Sequence, residues 1–278
     1  MAAKEINPIL IPYDFTSVSD IALDHAAHFA QLFEQPVTIL NIVDESTKKF
    51  LGQNNKEEQL LNIDLENICK KTENKFHVKV NYLIRKGNIL SIHDIAKDMN
   101  ISFMFIGIDQ LHTLASKVLQ MISNFLAPIY VVQGNIEWKD IETIVFPVDG
   151  TEDTLQKIFY TINIAKHTNA TVRLFSINLT AKERQYVQSV RVEKIEKLLL
   201  ENKIPFITDY ATCIEKEFPN ELIEYAKANN ANLLILMKTP RLFFTDMFIN
   251  PIDKKVLLNS KNIPSLYITS GYIERNQV

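Results

Sequence analysis

Apolar residues follow two alternating rhythms along this chain. Short runs are apolar at every position, and longer stretches return an apolar residue every three or four positions. The run at 7–13 suits a buried strand. From 17 to 33, Ile21, Ala22, His25, Ala26, Phe29, Ala30 and Phe33 fall at helical spacing, behind the cap-like start Ser17-x-x-Asp20. The same reading predicts strands at 37–43, 78–84, 102–107 and 129–132, and helices at 57–74, 89–99 and 115–126. Beyond them it predicts strands at 143–148, 171–177, 206–211, 232–237 and 265–269, with helices at 154–167, 182–202, 218–229 and 251–259. Strands apolar on both faces and separated by helices imply a parallel sheet covered on both sides. Right-handed crossovers make such a sheet doubly wound. Its ligands sit beyond the carboxyl ends of the strands, where the strand order reverses.

The pattern occurs twice. ILIPYDFT (9–16) lies over IVFPVDGT (144–151) at an offset of 135, with Ile, Pro, Asp and Thr coinciding. AQLFEQPVTILNI (30–42) lies over AKHTNATVRLFSI (165–177) at the same offset, matching Ala30 to Ala165, Val37 to Val172 and Ile42 to Ile177. DIAKDMNISFMFIGI (94–108) lies over EYAKANNANLLILMK (224–238), and APIYVV (127–132) over IPSLYI (263–268). Four blocks in one order point to two copies of one domain, 1–138 and 139–278, joined near Gly134–Asp140. A chain of 278 residues fits two domains, each long enough to bury a core.

Composition narrows the chemistry. The chain has only 6 glycines, where average usage gives roughly 19. No G-x-G-x-x-G and no G-x-x-x-x-G-K-[ST] can be written in it, which excludes the usual dinucleotide and P-loop phosphate cradles. Up to Trp138 there are 12 basic and 16 acidic residues, and after it 18 and 17. Neither half has the basic excess of a nucleic-acid binder, so no nucleic-acid partner is expected. No apolar run approaches the 18 residues of a membrane span, and the first residues lack a signal-peptide layout. Cys69 and Cys213 fall one in each half, which fits reduced thiols and a cytoplasmic protein rather than a disulfide framework.

A first strand ending in Asp (Asp14, Asp149), a helix, and a fourth strand whose loop and helix close on a final P-x-x-[VI] strand resemble the universal stress protein family. The short turn Arg85-Lys86-Gly87-Asn88 after the third strand belongs to the same pattern, and copy two has Glu215-Lys216-Glu217 there. The resemblance covers nearly the whole chain, twice. It implies an α/β fold of two tandem doubly wound five-stranded parallel sheets, each of order 3-2-1-4-5, paired through their fifth strands as an intramolecular pseudo-dimer. Nucleotide-binding members carry G-x2-G-x9-G-[ST] after the fourth strand, where backbone amides hold the phosphates. Copy two has Met237, Pro240, Asn250 and Pro251 at those positions, and two prolines have no N–H to offer. Copy one keeps Gly107, then has Gln110 and, counted back from Pro128, Ala115-Ser116 behind a loop about five residues short. The resemblance thus implies a non-enzymatic stress-response protein with degenerate nucleotide motifs and no cofactor. It would act through dimerisation, as a possible homodimer, or through an unknown protein partner, with no membrane contact. The alternative is ATP or AMP binding, or slow ATP hydrolysis, at a weak remnant site of Asp14, Gly107 and Ser116. A less charged metabolite at the same edge is a third reading.

Other residues leave alternatives open. Asp14 and Asp149 lie near the adenosine in nucleotide-binding relatives, or they serve as turn and helix-cap carboxylates. RLFFTDMFI (241–249) replaces the phosphate loop of copy two, and LHTL (111–114) is its milder counterpart. Its aromatics either plug the vacant pocket, form a contact patch, or hold an apolar ligand. His25 and His28 stand one helical turn apart beside Asp24, a spacing two metal ligands can share, although no third ligand can be named and a structural pair is the plainer reading. Cys69 sits on an apolar helical stripe and reads as core. The charged stretch 45–59 reads as a solvated loop, and Trp138 as a ring stacked at the joint between the copies.

Overall fold

The computed structural model of the chain describes residues 7–43, 58–88, 91–108, 125–148, 157–179, 181–238, 259 and 261–269. These fall into two compact units. The first ends at Trp138 and the second begins at Lys139, except that Phe125 and Leu126 go with the second. Thr269 Oγ1 donates to the Phe125 carbonyl at 2.9 Å.

The first unit contains β1 (Ile9–Pro12), α1 (Ser17–Phe33), β2 (Val37–Val43), α2 (Glu58–Phe76), β3 (Val80–Lys86), α3 (Ile92–Asp98), β4 (Phe103–Ile108) and β5 (Ile129–Gln133). The order is β3-β2-β1-β4-β5 and every pairing is parallel. Ile9 lies opposite Val37 on one side and Phe103 on the other. Ile9, Leu10 and Ile11 are fully buried, which explains an apolar run without alternation. Facing the sheet, α1 presents Ala22, Ala26, Phe29 and Ala30, all without exposure. The alanines bring the helix axis close to the strands, and Phe29 then meets Phe103 (5.1 Å between ring centres) and Phe105 (5.3 Å). Phe105 stacks on Tyr130 at 4.4 Å, so strands four and five share one aromatic cluster with the helix.

The second unit repeats the plan with β6 (Thr143–Val148), α4 (Lys157–Thr168), β7 (Thr171–Ile177), α5 (Lys182–Glu201), β8 (Phe206–Ala211), α6 (Phe218–Ala228), β9 (Leu233–Lys238) and β10 (Ser265–Thr269). Its order is β8-β7-β6-β9-β10, again parallel throughout. The expected order 3-2-1-4-5 is therefore present in each copy. Helices expected at 115–126 and 251–259 lie almost wholly outside the described residues, as does the charged stretch 45–57. Among the described residues no helix is long and apolar enough to cross a membrane.

The junction between the second helix and the third strand differs from the sequence expectation. The third strand begins at Val80 instead of 78, and its preceding helix runs on to Phe76. Phe76 is buried against the His28 ring at 4.8 Å, which rewards two more helical residues. Val80 N–H then donates to Glu73 Oε1 at 2.9 Å, tying the strand start to the helix it follows.

Glycine scarcity reaches the helix ends. Left-handed residues that close helices are commonly glycine, yet here Glu34, His77, Asn100, Asn169, Lys203 and Asn230 follow the six described helices at φ between 47° and 58°. A side chain in that region costs roughly 1–2 kcal/mol relative to glycine, less for Asn. Lys203→Gly is therefore expected to raise the urea midpoint, by up to about 1 kcal/mol in stability, after subtracting glycine's entropy in the unfolded chain. Lys203→Ala should give no such gain.

Candidate functional site

The strand order of the first unit reverses between β1 and β4, so the crevice at their carboxyl ends is the place to seek a ligand. Tyr13 leaves β1 with its N–H on the Leu40 carbonyl (2.9 Å). The chain then turns through Phe15, an exposed residue at φ 65°, into Thr16, the N-cap of α1. Asp14 accepts the Thr16 N–H at 3.2 Å and the Thr16 hydroxyl at 2.5 Å. Thr16 Oγ1 in turn accepts from Ser19 N at 3.4 Å, and Ser19 Oγ donates to the Thr16 carbonyl at 2.8 Å. The Tyr13 hydroxyl donates to Asp20 in the first turn of the helix. Burial and that carboxylate both hold the Tyr13 phenol well above its ordinary range. Asp14 thus braces the turn and holds the capping Thr16 in place.

Gly107 occupies the other side of the crevice, one residue before the end of β4. A Cβ placed there would lie 2.0 Å from the Val18 carbonyl oxygen and 2.5 Å from its carbon. The obstruction is backbone in the first turn of α1, which cannot swing aside as a side chain can. The glycine is required because helix and strand touch at the switch point. Asp14 and Gly107 are brought to the same edge; Ser116, Asp149 and residues 241–249 lie outside the described residues.

Beneath this edge a polar residue is buried in an apolar strand. Asn41 of β2 is 2% exposed and its Nδ2 donates to the Tyr13 carbonyl at 2.8 Å. In the second unit the equivalent carbonyl is that of Val148, and the residue in the place of Asn41 is Ser176. There Gln188, reaching in from α5, donates to the Val148 carbonyl at 2.5 Å and to Ser176 Oγ at 3.1 Å. Both copies deliver a side-chain amide to the same carbonyl from different elements. Both leave the amide oxygen buried without a partner among the described residues. The second unit also carries Lys157 where the first has Ala22. Lys157 is 1% exposed; its Nζ donates to the Pro147 carbonyl at 2.5 Å and sits 4.4 Å from the centre of the Phe146 ring. Sequence reading passed over these residues, though an Asn inside VTILNIV and a Lys aligned with Ala22 were signals of them.

The two histidines of α1 do not converge on a metal. His25 Nε2 donates to the Ile136 carbonyl at 2.8 Å, and the His28 ring stacks on Trp138 at 5.1 Å and 9°. Trp138 also meets His25 edge-on at 5.3 Å. Asp24 is held by Lys75 at 2.5 Å. Among the described residues no group of three His, Cys, Asp or Glu could hold a metal ion. Cys69 is buried and free, with burial pushing its thiol up to about 11. The segment after β5 is thus laid on α1 by one hydrogen bond and two ring contacts.

The Universal stress protein family model matches residues 5–127 and again 140–262. The chain belongs to the universal stress protein family. A universal stress protein from Archaeoglobus fulgidus DSM 4304 is similar in structure, with a TM-score of 0.76, 13% identity, and coverage of 96% of this chain and 100% of that one. A functionally unknown protein from Pseudomonas aeruginosa PAO1 follows at 0.66, with 12% identity and coverage of 95% and 93%. The cytoplasmic domain of a prokaryotic cation chloride cotransporter matches at 0.56, with 13% identity and 95% of each chain covered. At these identities the likeness is one of fold. A comparison with curated proteins finds no match.

Two outcomes are expected from this geometry. Gly107→Ala should destabilise the protein by about 1–3 kcal/mol or more in chemical denaturation, because a methyl must displace backbone. A glycine kept only for phosphate contact would tolerate the change in the ligand-free chain. The second outcome concerns pH. Facing the Ile136 carbonyl, His25 Nε2 carries the proton, and Nδ1 is buried with no partner among the described residues. Burial holds its pKa below the ordinary 6.5, against the opposing pull of the Ile136 carbonyl and Asp24. The unfolded chain therefore binds this proton first, and the contribution present above about pH 6.5 is lost as the pH falls below it. Urea midpoints at pH 7.5 and 5.5 should differ less in His25→Phe than in the parent.

Proposed function

We propose that this universal stress protein is not an enzyme and acts in the stress response by self-association or by contact with a protein partner. In this reading its nucleotide-binding motifs are degenerate in both copies and it needs no cofactor. The observation that carries the reading is the Val18 carbonyl against Gly107. The one motif glycine kept in copy one has a packing reason, so its presence is no evidence for a phosphate. Asp14, another residue of the remnant site, already accepts two hydrogen bonds from Thr16. Copy two offers Met237, Pro240 and Pro251 where backbone amides are needed. The charge balance of either half gives no basis for nucleic-acid contact. Two free cysteines fit a reducing, cytoplasmic setting.

The competing reading is ATP or AMP bound at Asp14, Gly107 and Ser116. The purified chain, denatured and its supernatant resolved by anion-exchange chromatography, is expected to release no stoichiometric nucleotide. Titration with ATP and magnesium should give no saturable heat. One mole of AMP or ATP per chain, lost in an Asp14→Ala variant of unchanged stability, would establish the nucleotide reading instead.

A further inference from the structure

Helix α5 carries two apolar stripes, and only one is used within its unit. Gln188, Val192, Ile195 and Leu199 are buried against the second sheet. On the opposite side Tyr186 is 71% exposed and Val190 44%, with Val187 beside them at 46%. An isolated exposed apolar residue needs no explanation. Three within five residues, on the outward face of a helix with one buried face already, form a second amphipathic surface.

The charges around this stripe identify what fits it. Lys182 and Glu193 flank Tyr186 and Val190 on one side of the helix, and Glu183 and Lys194 flank them on the other. None of the four enters an ion pair among the described residues, whereas their neighbour Arg184 is taken up by Glu215 at 2.7 Å. When two identical helices cross antiparallel about a two-fold, each flank meets the same flank of the partner, reversed. With the axis at the level of Gln188, Tyr186 packs on Val190 of the second copy. Lys182 then faces Glu193 of the second copy, and Glu183 faces its Lys194. Both charge pairs are opposite in sign at the register that the apolar residues set by themselves. A parallel crossing would instead set Tyr186 and Val190 each against its own copy, with Lys182 facing Glu183 and Glu193 facing Lys194.

We propose that a second copy of this chain docks on the outward face of α5, antiparallel, through Tyr186 and Val190 with the Lys182–Glu193 and Glu183–Lys194 pairs at its rim. The proposal rests on the self-association reading given above. It specifies the face and the register. A contact one helix wide belongs to the weak, transient class of interfaces, and its rim charges make it salt-sensitive.

Sedimentation velocity over a micromolar-to-submillimolar concentration series tests it. The parent should show a monomer–dimer equilibrium that weakens with added salt. Val190→Asp should abolish the dimer while leaving the urea midpoint unchanged, since the side chain is half exposed. Glu183→Lys and Lys194→Glu should each weaken self-association by about tenfold, because each turns two attractive pairs into repulsive ones. Mixed in equal amounts, these two variants should recover the parent affinity as a heterodimer, in which every facing pair is again opposite. A dimer indifferent to Val190→Asp would overturn α5 docking and leave self-association standing. A chain monomeric at every concentration would overturn both. Charge variants that weaken association but fail to rescue one another would overturn the antiparallel register.

Discussion

The first unit is organised by a contact that no side chain makes: the α carbon of Gly107 against the carbonyl of Val18. It fixes how deeply the first turn of α1 descends between β1 and β4, the point where the strand order reverses. Above it, Thr16 caps the helix and Asp14 holds Thr16. Below it, Ala22, Ala26 and Ala30 keep the helix close enough for Phe29 to reach Phe105 and join the Tyr130 cluster. The crevice in which doubly wound sheets receive ligands is therefore shaped by helix–strand contact. A glycine that resembles a remnant of phosphate chemistry is, in this chain, the condition for that contact.

Comparison of the two copies shows which requirements belong to the fold and which to the residue. The carbonyl at the end of each first strand lies in a buried place and needs a donor, because an unmet polar group there is costly. The first copy meets the need from β2 with Asn41; the second meets it from α5 with Gln188 and places Ser176 beside it. The need is for a donor at a point in space, so either element can supply it once the side-chain length is right. Lys157 shows the same freedom. Where Ala22 lets the helix settle, the second copy accommodates a long side chain by running it along the Phe146 ring to the Pro147 carbonyl.

Scarcity of glycine has consequences at two scales. In the proposed reading, it leaves the sheet edge without the glycines of a phosphate cradle. At the helix ends it leaves Glu34, His77 and Lys203 in left-handed conformations that glycine would adopt without strain. The outward face of α5 shows a further departure from economy: an apolar stripe kept on a helix whose core-facing stripe is already complete. In the proposed docking, the charges beside it meet their opposites when the helix is rotated about a two-fold axis.

The sequence alone determined the duplicated α/β plan, because strands buried on both faces and helices with one apolar face write their periods directly into residue order. It also located the switch-point edge and the scarcity of glycine, which are local facts. Only the tertiary structure decided what the surviving residues do there. Gly107 is explained by Val18, nearly ninety positions earlier, and His25 and His28 by Trp138, more than a hundred positions later. Asn41 and Gln188 are equivalent only because two different elements bring them to corresponding carbonyls. Periodicity records which face a residue turns inward. Which atoms it meets is set by distances between segments far apart in the chain, and no local pattern carries those distances.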